Sequence, residues 1–332
     1  MLHYIMRRLL YGIIVLFLMT IVSFVIIQLP PGDYLTTYIA QLSRSGQVVD
    51  KAQALSLRKQ YGLDQPVYIQ YFKWMREMLH GNFGMSFAWN KPVTELIAER
   101  LPLTIMISFL TLSFLYAMGI AIGIYSATHQ YSVGDYTFTV IGFAGLAIPN
   151  FLFALVLMFI FYKYFDFNAA GLFSKQYLLQ EAWSLGKFVD MLKHLLLAMI
   201  VVGTAGTAWL IRIMRGCLLD ELGKQYVITA RAKGVEERTL LFKYPVRVAI
   251  NPIVSTIGWE LSYVISGQAI TSIVLGLPTV GPLLYSALLN QDMYLAGSVI
   301  VVLCSLTVIG TVISDILLAW IDPRIRFENK RD

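Results

Sequence analysis

Arg212 to Arg247 reads RIMRGCLLDELGKQYVITARAKGVEERTLLFKYPVR, a polar stretch lodged between two long apolar segments. It holds eight of the chain's 26 Lys and Arg residues: Arg212, Arg215, Lys224, Arg231, Lys233, Arg238, Lys243 and Arg247. Gln225 to Lys233 contains neither Gly nor Pro, which predicts a short helix with Gly234 as its stop. A second helix is expected over Glu236 to Lys243. A basic helical pair between Leu195–Ile211 and Ile250–Leu275 reads as a cytoplasmic element joining two membrane spans.

The composition agrees. Of 332 residues, 57% are hydrophobic and only 14% charged, against roughly 25% charged in soluble domains. Mean hydropathy is +0.66. The fold class expected is therefore an all-α polytopic membrane protein. The net charge of +6 needs no nucleic acid, because Lys and Arg accumulate on inner loops of membrane proteins. Cys217 and Cys304 form no motif, and His3, His80, His129 and His194 show no metal-ligand spacing.

Outward from the basic stretch, six spans are expected. Leu9 to Leu29 is an uncharged run of 21 residues behind Arg7 and Arg8. It is too long for a signal core and lacks a small-residue cleavage site, so it reads as a retained first span. Pro30 to Arg100 is polar yet carries Tyr, Phe and Trp throughout, which predicts a small ordered external domain over 30–100, with helices over Asp50 to Tyr61 and Pro66 to Leu79. Leu101 to Thr128 is the second span, with Gly119 and Gly123 spaced either for close helix approach or merely as a loose pair. After a tight turn at Gln130 to Tyr136, Thr137 to Tyr162 is the third, kinked at Pro149. Lys163 to His194 is an external loop. The fourth and fifth spans flank the basic loop over 212–249. Pro282 to Asn290 reads as a short re-entrant helix, and Leu295 to Ile321 as the sixth span, closing a five-helix core over 101–322 before a basic tail over 323–332. Segments assigned inside carry 14 Lys and Arg and those outside 12. The outside loops are longer and count for less, so both termini are placed in the cytoplasm.

No G-x-x-x-x-G-K-[ST], H-E-x-x-H or G-x-S-x-G motif occurs, so an enzyme reading of the chain itself has little to stand on. Arg231 and Lys233 suit acidic groups in a partner's cleft and lipid phosphates equally well. Small residues at Ala230 and Ala232 would let the helix sit shallowly in a groove. Within the fifth span, Glu260 is a buried acid, which by default marks function, with a structural hydrogen bond as the plainer reading. Trp259, Tyr263 and Gln268 suit sugar stacking and hydroxyl bonding, or simply packing.

Tyr226-Val227-Ile228-Thr229-Ala230-Arg231-Ala232-Lys233-Gly234 resembles the cytoplasmic coupling motif of ABC-importer permeases, in the version of the oligopeptide, dipeptide and nickel branch. Further stretches agree in order. His3 to Arg8, Ser23-Phe24 and Pro31-Gly32-Asp33 resemble that branch's opening. Tyr61 to Pro66, Gln70-Tyr71, Gly81 to Ser86 and Pro92-Val93 resemble its external domain, and Asp322-Pro323-Arg324 its end. Arg212 and Arg215 match arginines ahead of the motif.

The resemblance implies six transmembrane helices of the ABC-importer permease type in a bacterial or archaeal cytoplasmic (inner) membrane. It also implies a second, heterologous permease subunit, two cytoplasmic ATPase subunits carrying ATP and Mg, and an external solute-binding protein, with no cofactor in this chain. Tyr226, Thr229, Ala230, Arg231, Ala232, Lys233, Gly234 and Glu236 would then form the ATPase-coupling contact. Glu260, Tyr263, Gln268 and Ser272 are the pathway-lining candidates. Four positions depart from the branch: Tyr244 stands where histidine is common, Asn82 where Asp is usual, Ser272 at a Glu position, and Thr279 for a glycine. The missing Glu makes an oligosaccharide an alternative to a peptide. An ion-coupled secondary transporter or a membrane scaffold are the alternatives of another class. The first would need paired midplane charges or related halves, and neither is evident.

Overall fold

The computed structural model describes residues 2–28, 65–86, 88–180 and 182–321. The helix expected over Asp50 to Tyr61, much of the expected external domain and the basic tail lie outside the described residues. In chain order the elements are α1 (Leu2–Gln28), α2 (Val67–Leu79), β1 (Met85–Ser86), β2 (Lys91–Pro92), α3 (Val93–Thr128), α4 (Val133–Ala147), α5 (Asn150–Phe165), α6 (Lys175–Leu178), α7 (Leu185–Leu222), α8 (Gln225–Ala232), α9 (Glu237–Lys243), α10 (Pro245–Ala249), α11 (Asn251–Val254), α12 (Ile257–Leu275), α13 (Val280–Leu289) and α14 (Met293–Ile321). The two strands pair antiparallel, Met85 with Pro92 and Ser86 with Lys91.

Among the described residues, four helices are long and apolar enough to cross a membrane: Met6–Val25 of α1, all of α3 and α7, and Met293–Ala319 of α14. Two broken pairs, α4 with α5 and α12 with α13, bring the number to six if each counts as one span. The chain is thus a multi-pass membrane protein.

The third span is not the kinked helix expected over Thr137 to Tyr162. Ile148 sits at φ −88°, ψ 124° and Pro149 at φ −57°, ψ 135°. Proline drives the preceding residue out of the helical region and offers no N–H to continue the ladder. The chain therefore leaves α4 and restarts as α5 at 110° to it. The preceding turn is also shorter than expected, because Ser132 caps α4 by accepting from the Asp135 amide. At the other boundaries the helices overrun the apolar runs: α3 starts at Val93 and α7 at Leu185.

Packing divides the chain into two compact units. One holds Met1–Leu9, Leu103–Pro278 and Thr307–Asp332. Its first core joins Ile107 of α3, Ala154 of α5, Leu195, Ala198 and Val201 of α7, and Leu275 of α12. Its second joins Leu115 and Ala127 of α3, Leu210, Met214 and Leu218 of α7, and Val246, Ala249 and Ile253 of α10 and α11. Here the glycine pair has the closer of its two readings. A methyl group on Gly119 would lie 2.6 Å from Leu210 Cδ2, and one on Gly123 2.5 Å from Met214 Cβ. Only hydrogen at both positions lets α3 and α7 approach this far.

The other unit holds Leu10–Pro102 and Thr279–Leu306. The aromatic helix α2 buries Tyr71 and Trp74 against Phe24 of α1, with Phe24 and Tyr71 edge to face at 5.4 Å. Tyr71 also shares a 2.8 Å hydrogen bond with Thr20. Asp292, fully buried, accepts from Ser86 Oγ at 2.6 Å, the Ala88 amide at 3.1 Å and the Leu295 amide at 3.2 Å. It thereby caps α14 and holds the β1–β2 hairpin with one carboxylate.

Candidate functional site

The basic stretch folds as expected from its composition, with α8 and α9 forming a short helical hairpin. Lys224 opens α8 without a side-chain cap. Its C-terminus is closed by Gly234 at φ +76°. The Gly234 amide donates to the Arg231 carbonyl at 3.0 Å and the Val235 amide to the Ala230 carbonyl at 3.3 Å. Those are the two bonds of a Schellman motif, which satisfies carbonyls the helix end would leave bare. Its accompanying apolar contact is also present, since Val235 packs with Val227, Ala230, Leu240 and Tyr244. Val227 and Leu240 are fully buried in this small core. Leu240 to Ala would cost about 2–5 kcal/mol at a site with so few other apolar groups.

The hairpin sorts the candidate residues by face. Ala230 turns inward to the hairpin core, whereas Tyr226, Thr229, Arg231, Ala232, Lys233, Gly234 and Glu236 are exposed. Ile228 and Phe242 are exposed apolar side chains on the same element, outside the contact that the resemblance implies. A partner cleft would bury them together with the cations. The only signal for them in the sequence was their place between Val227 and Thr229 and beside Lys243, which does not tell an inward residue from an outward one.

Ion pairing and hydrogen bonding fix the polar groups. Arg231 donates to both carboxylate oxygens of Glu237, the η nitrogen at 3.2 Å. That contact, with the Coulomb attraction behind it, holds the Glu237 carboxyl below its ordinary range and raises the guanidinium further. Tyr226 donates its hydroxyl to Glu221 at the end of α7. Partial burial and the neighbouring carboxylate push the phenol up to about 12. Thr239 donates to Glu236 at 3.3 Å.

The hairpin is attached to two membrane helices. On one side, Gly223 and Lys224 are all that separates it from α7, a continuous helix of 38 residues, roughly 57 Å at 1.5 Å per residue. On the other, α9 passes through Tyr244 directly into α10, whose Val246 and Ala249 pack into the core with Leu210, Met214 and Leu218 of α7. The hairpin is thus joined at one end to α7 and at the other to the α10–α12 run.

The four membrane candidates do not converge on one surface. Glu260, Gln268 and Ser272 are buried on the inner side of α12. Ser108 of α3 donates to Gln268 at 3.4 Å. Glu260 Oε2 has no hydrogen-bond partner and would lie 3.4 Å from a methyl group placed on Gly206 of α7. Tyr263 alone of the four is exposed; it lies only about 60° around the helix from Glu260, just across the edge of the buried face. It belongs to a stripe of Trp259, Tyr263, Ser266, Ile270 and Ile273 that runs the length of α12 at three- and four-residue spacing. The last three members of that stripe were not singled out from the sequence, although the spacing was legible. Among the described residues no three His, Cys, Asp or Glu side chains gather into a metal site.

Comparison with known proteins agrees with this architecture along the whole chain. The sequence model described as binding-protein-dependent transport system inner membrane component matches residues 119–327, and its N-terminal companion matches residues 1–108. The chain is 34% identical to the oligopeptide transport system permease protein AppB of Bacillus subtilis, over 98% of this chain and 99% of that one. It is 31% identical to OppB of Salmonella typhimurium and 30% identical to OppB of Haemophilus influenzae, both oligopeptide transport system permease proteins, over 98% of this chain and 100% of each.

Proposed function

The chain belongs to the binding-protein-dependent transport system inner membrane components, and on that premise we propose that it forms part of the translocation pathway of an ATP-driven peptide importer. The cargo class rests on the relatives, which are named for oligopeptide transport. None of these three names an oligosaccharide. By the same reading, a second permease subunit completes the pathway, two ATPase subunits drive it from the cytoplasm and an external binding protein delivers the peptide. Both termini then face the cytoplasm, ATP and Mg stay on the partner subunits, and this chain catalyses nothing itself.

One observation carries the mechanism: the α8–α9 hairpin is closed on itself and fastened to two spans, while its outer face is left exposed. Val227, Ala230 and Leu240 lock the two short helices together. A rigid body of this kind passes on a push without absorbing it, because a packed core has little compliance. An ATPase subunit gripping Tyr226, Thr229, Arg231, Ala232, Lys233 and Glu236 would swing the hairpin as the two ATPases close. α7 and α12 would follow through Leu218 and Val246, turning the exposed stripe of α12 and opening the pathway to one side and then the other.

Reconstituted complex gives the test. Leu240→Ala loosens the hairpin without touching its outer face. The expected result is that ATPase subunits still co-purify and hydrolyse ATP while peptide uptake falls. Uptake that proceeds at the wild-type rate in Leu240→Ala, or in vesicles lacking every ATPase subunit, overturns the reading.

A further inference from the structure

A groove of about 230 Å³ runs between α4 and α7 in the larger unit. Its walls are Phe138, Phe143 and Leu146 on α4 and Trp209 on α7, and one end is closed by Arg212 and Arg215. The arginines follow the apolar run Leu195–Ile211 directly, so the charged end lies at the level where a span leaves the hydrocarbon. The charges there do not cancel. Arg215 donates to Asp135 at 3.1 Å, whereas Arg212 is exposed and makes no ion pair among the described residues. One positive charge is left over at the mouth of an apolar channel.

We propose that this groove holds one anionic phospholipid, with its phosphate on Arg212 and Arg215 and an acyl chain along Phe138, Phe143, Leu146 and Trp209. Several features select that occupant. The helices that form the groove belong to a membrane-spanning bundle, so what reaches it is a bilayer component or another protein. The apolar walls exclude free phosphate, which would gain nothing from them. Guanidinium is the side chain that best matches phosphate oxygens, through its fork of N–H donors. Trp209 lies three residues before Arg212, at the depth where indoles settle between tails and headgroups. A zwitterionic lipid could fill the channel but would leave the surplus charge unanswered. The site lies on α7 just before the coupling hairpin, so occupancy by lipid would brace the helix through which ATPase motion is delivered.

Bromolipid quenching of Trp209 reads this site directly. The full chain, purified and reconstituted in phosphatidylcholine vesicles, receives a small fraction of brominated phosphatidylglycerol or of brominated phosphatidylcholine. The Trp209 contribution is the difference between the wild type and Trp209→Phe. Brominated phosphatidylglycerol is expected to reach Trp209 with about five-fold preference, the equivalent of about 1 kcal/mol for one basic group at an anionic lipid surface. Arg212→Gln should remove that preference and Arg212→Lys should retain most of it. Equal quenching by both lipids, or a preference that survives Arg212→Gln, overturns the assignment. So does a Trp209 quenched by neither lipid, which would mean that protein covers the groove.

Discussion

Val235 donates its amide to the Ala230 carbonyl across 3.3 Å, and Gly234 between them holds φ at +76°. The end of α8 depends on that conformation. A side chain at Gly234 meets nothing within 4 Å, so any penalty of substitution is conformational and not steric. Gly234→Ala should cost about 1 kcal/mol, the usual charge for an L-residue held in the left-handed region. Gly234→Asn should cost less, since Asn tolerates that region. Gly234→Pro loses the 3.0 Å bond to Arg231 and cannot reach the required φ. Thermal unfolding and ATPase co-purification should rank the variants in the order wild type, Asn, Ala, Pro. Wild-type behaviour from the proline variant would remove the hairpin from the coupling role.

The α3–α7 contact is equally restrictive for a different reason. Gly123→Ala places a methyl group 2.5 Å from Met214 Cβ and 3.2 Å from the Ile211 carbonyl oxygen. Overpacking of this kind typically costs about 1–3 kcal/mol. Trimming Met214 to Ala should not rescue it, because the offending Cβ remains. That failure of rescue, measured by detergent-resistance midpoints of single and double variants, separates backbone proximity from ordinary side-chain crowding.

Much of this was legible beforehand, and what escaped has a common cause. The α8 stop at Gly234 and the aromatic helix over Pro66 to Leu79 rest on local chemistry and have the expected form, whereas the spacing of Gly119 and Gly123 left close approach and a loose pair both open until the packing selected the first. Local rules did not anticipate that Pro149 would separate two helices by 110°. A proline in a span can bend or break, and the outcome depends on what the freed ends pack against. Nor did they show that the edge between the buried and exposed faces of α12 falls between Glu260 and Tyr263. Three residues apart, the two sit only about 60° from each other around the helix, so spacing alone groups them together. Asp292 carries no local sign of its role, because its partners Ser86 and Ala88 lie some two hundred positions away.

Glu260 is now best tested by its removal. Its Oε2 is buried without a hydrogen-bond partner, and an unsatisfied buried polar group carries a penalty of about 1–3 kcal/mol. Glu260→Met keeps the length of the side chain and discards the polar atoms. It should raise the unfolding midpoint and leave peptide uptake intact. Tyr263→Ala, on the exposed stripe, should leave the midpoint nearly unchanged and alter which peptides are carried. If the two phenotypes are exchanged, the pathway runs on the Glu260 side of α12.

The Arg231–Glu237 pair sets how much charge the hairpin presents to a partner. Both side chains are at least half exposed, so the pair itself contributes little to folding. Glu237→Gln should therefore leave the unfolding midpoint almost unmoved at neutral pH. The pH dependence has a definite sign. Arg231 holds the Glu237 carboxyl below its ordinary range, so the small stabilisation is complete above that range. It is lost as pH falls through the depressed value, where wild type and Glu237→Gln should become indistinguishable. Binding should respond in the opposite sense to pairing. Glu237→Gln frees the Arg231 guanidinium for acidic groups of an ATPase subunit and should tighten the complex, whereas Arg231→Gln should weaken it. Titrating ATPase subunit onto the purified permease gives both affinities. A weaker complex from Glu237→Gln would mean that the ion pair, not the free guanidinium, is the surface the partner recognises.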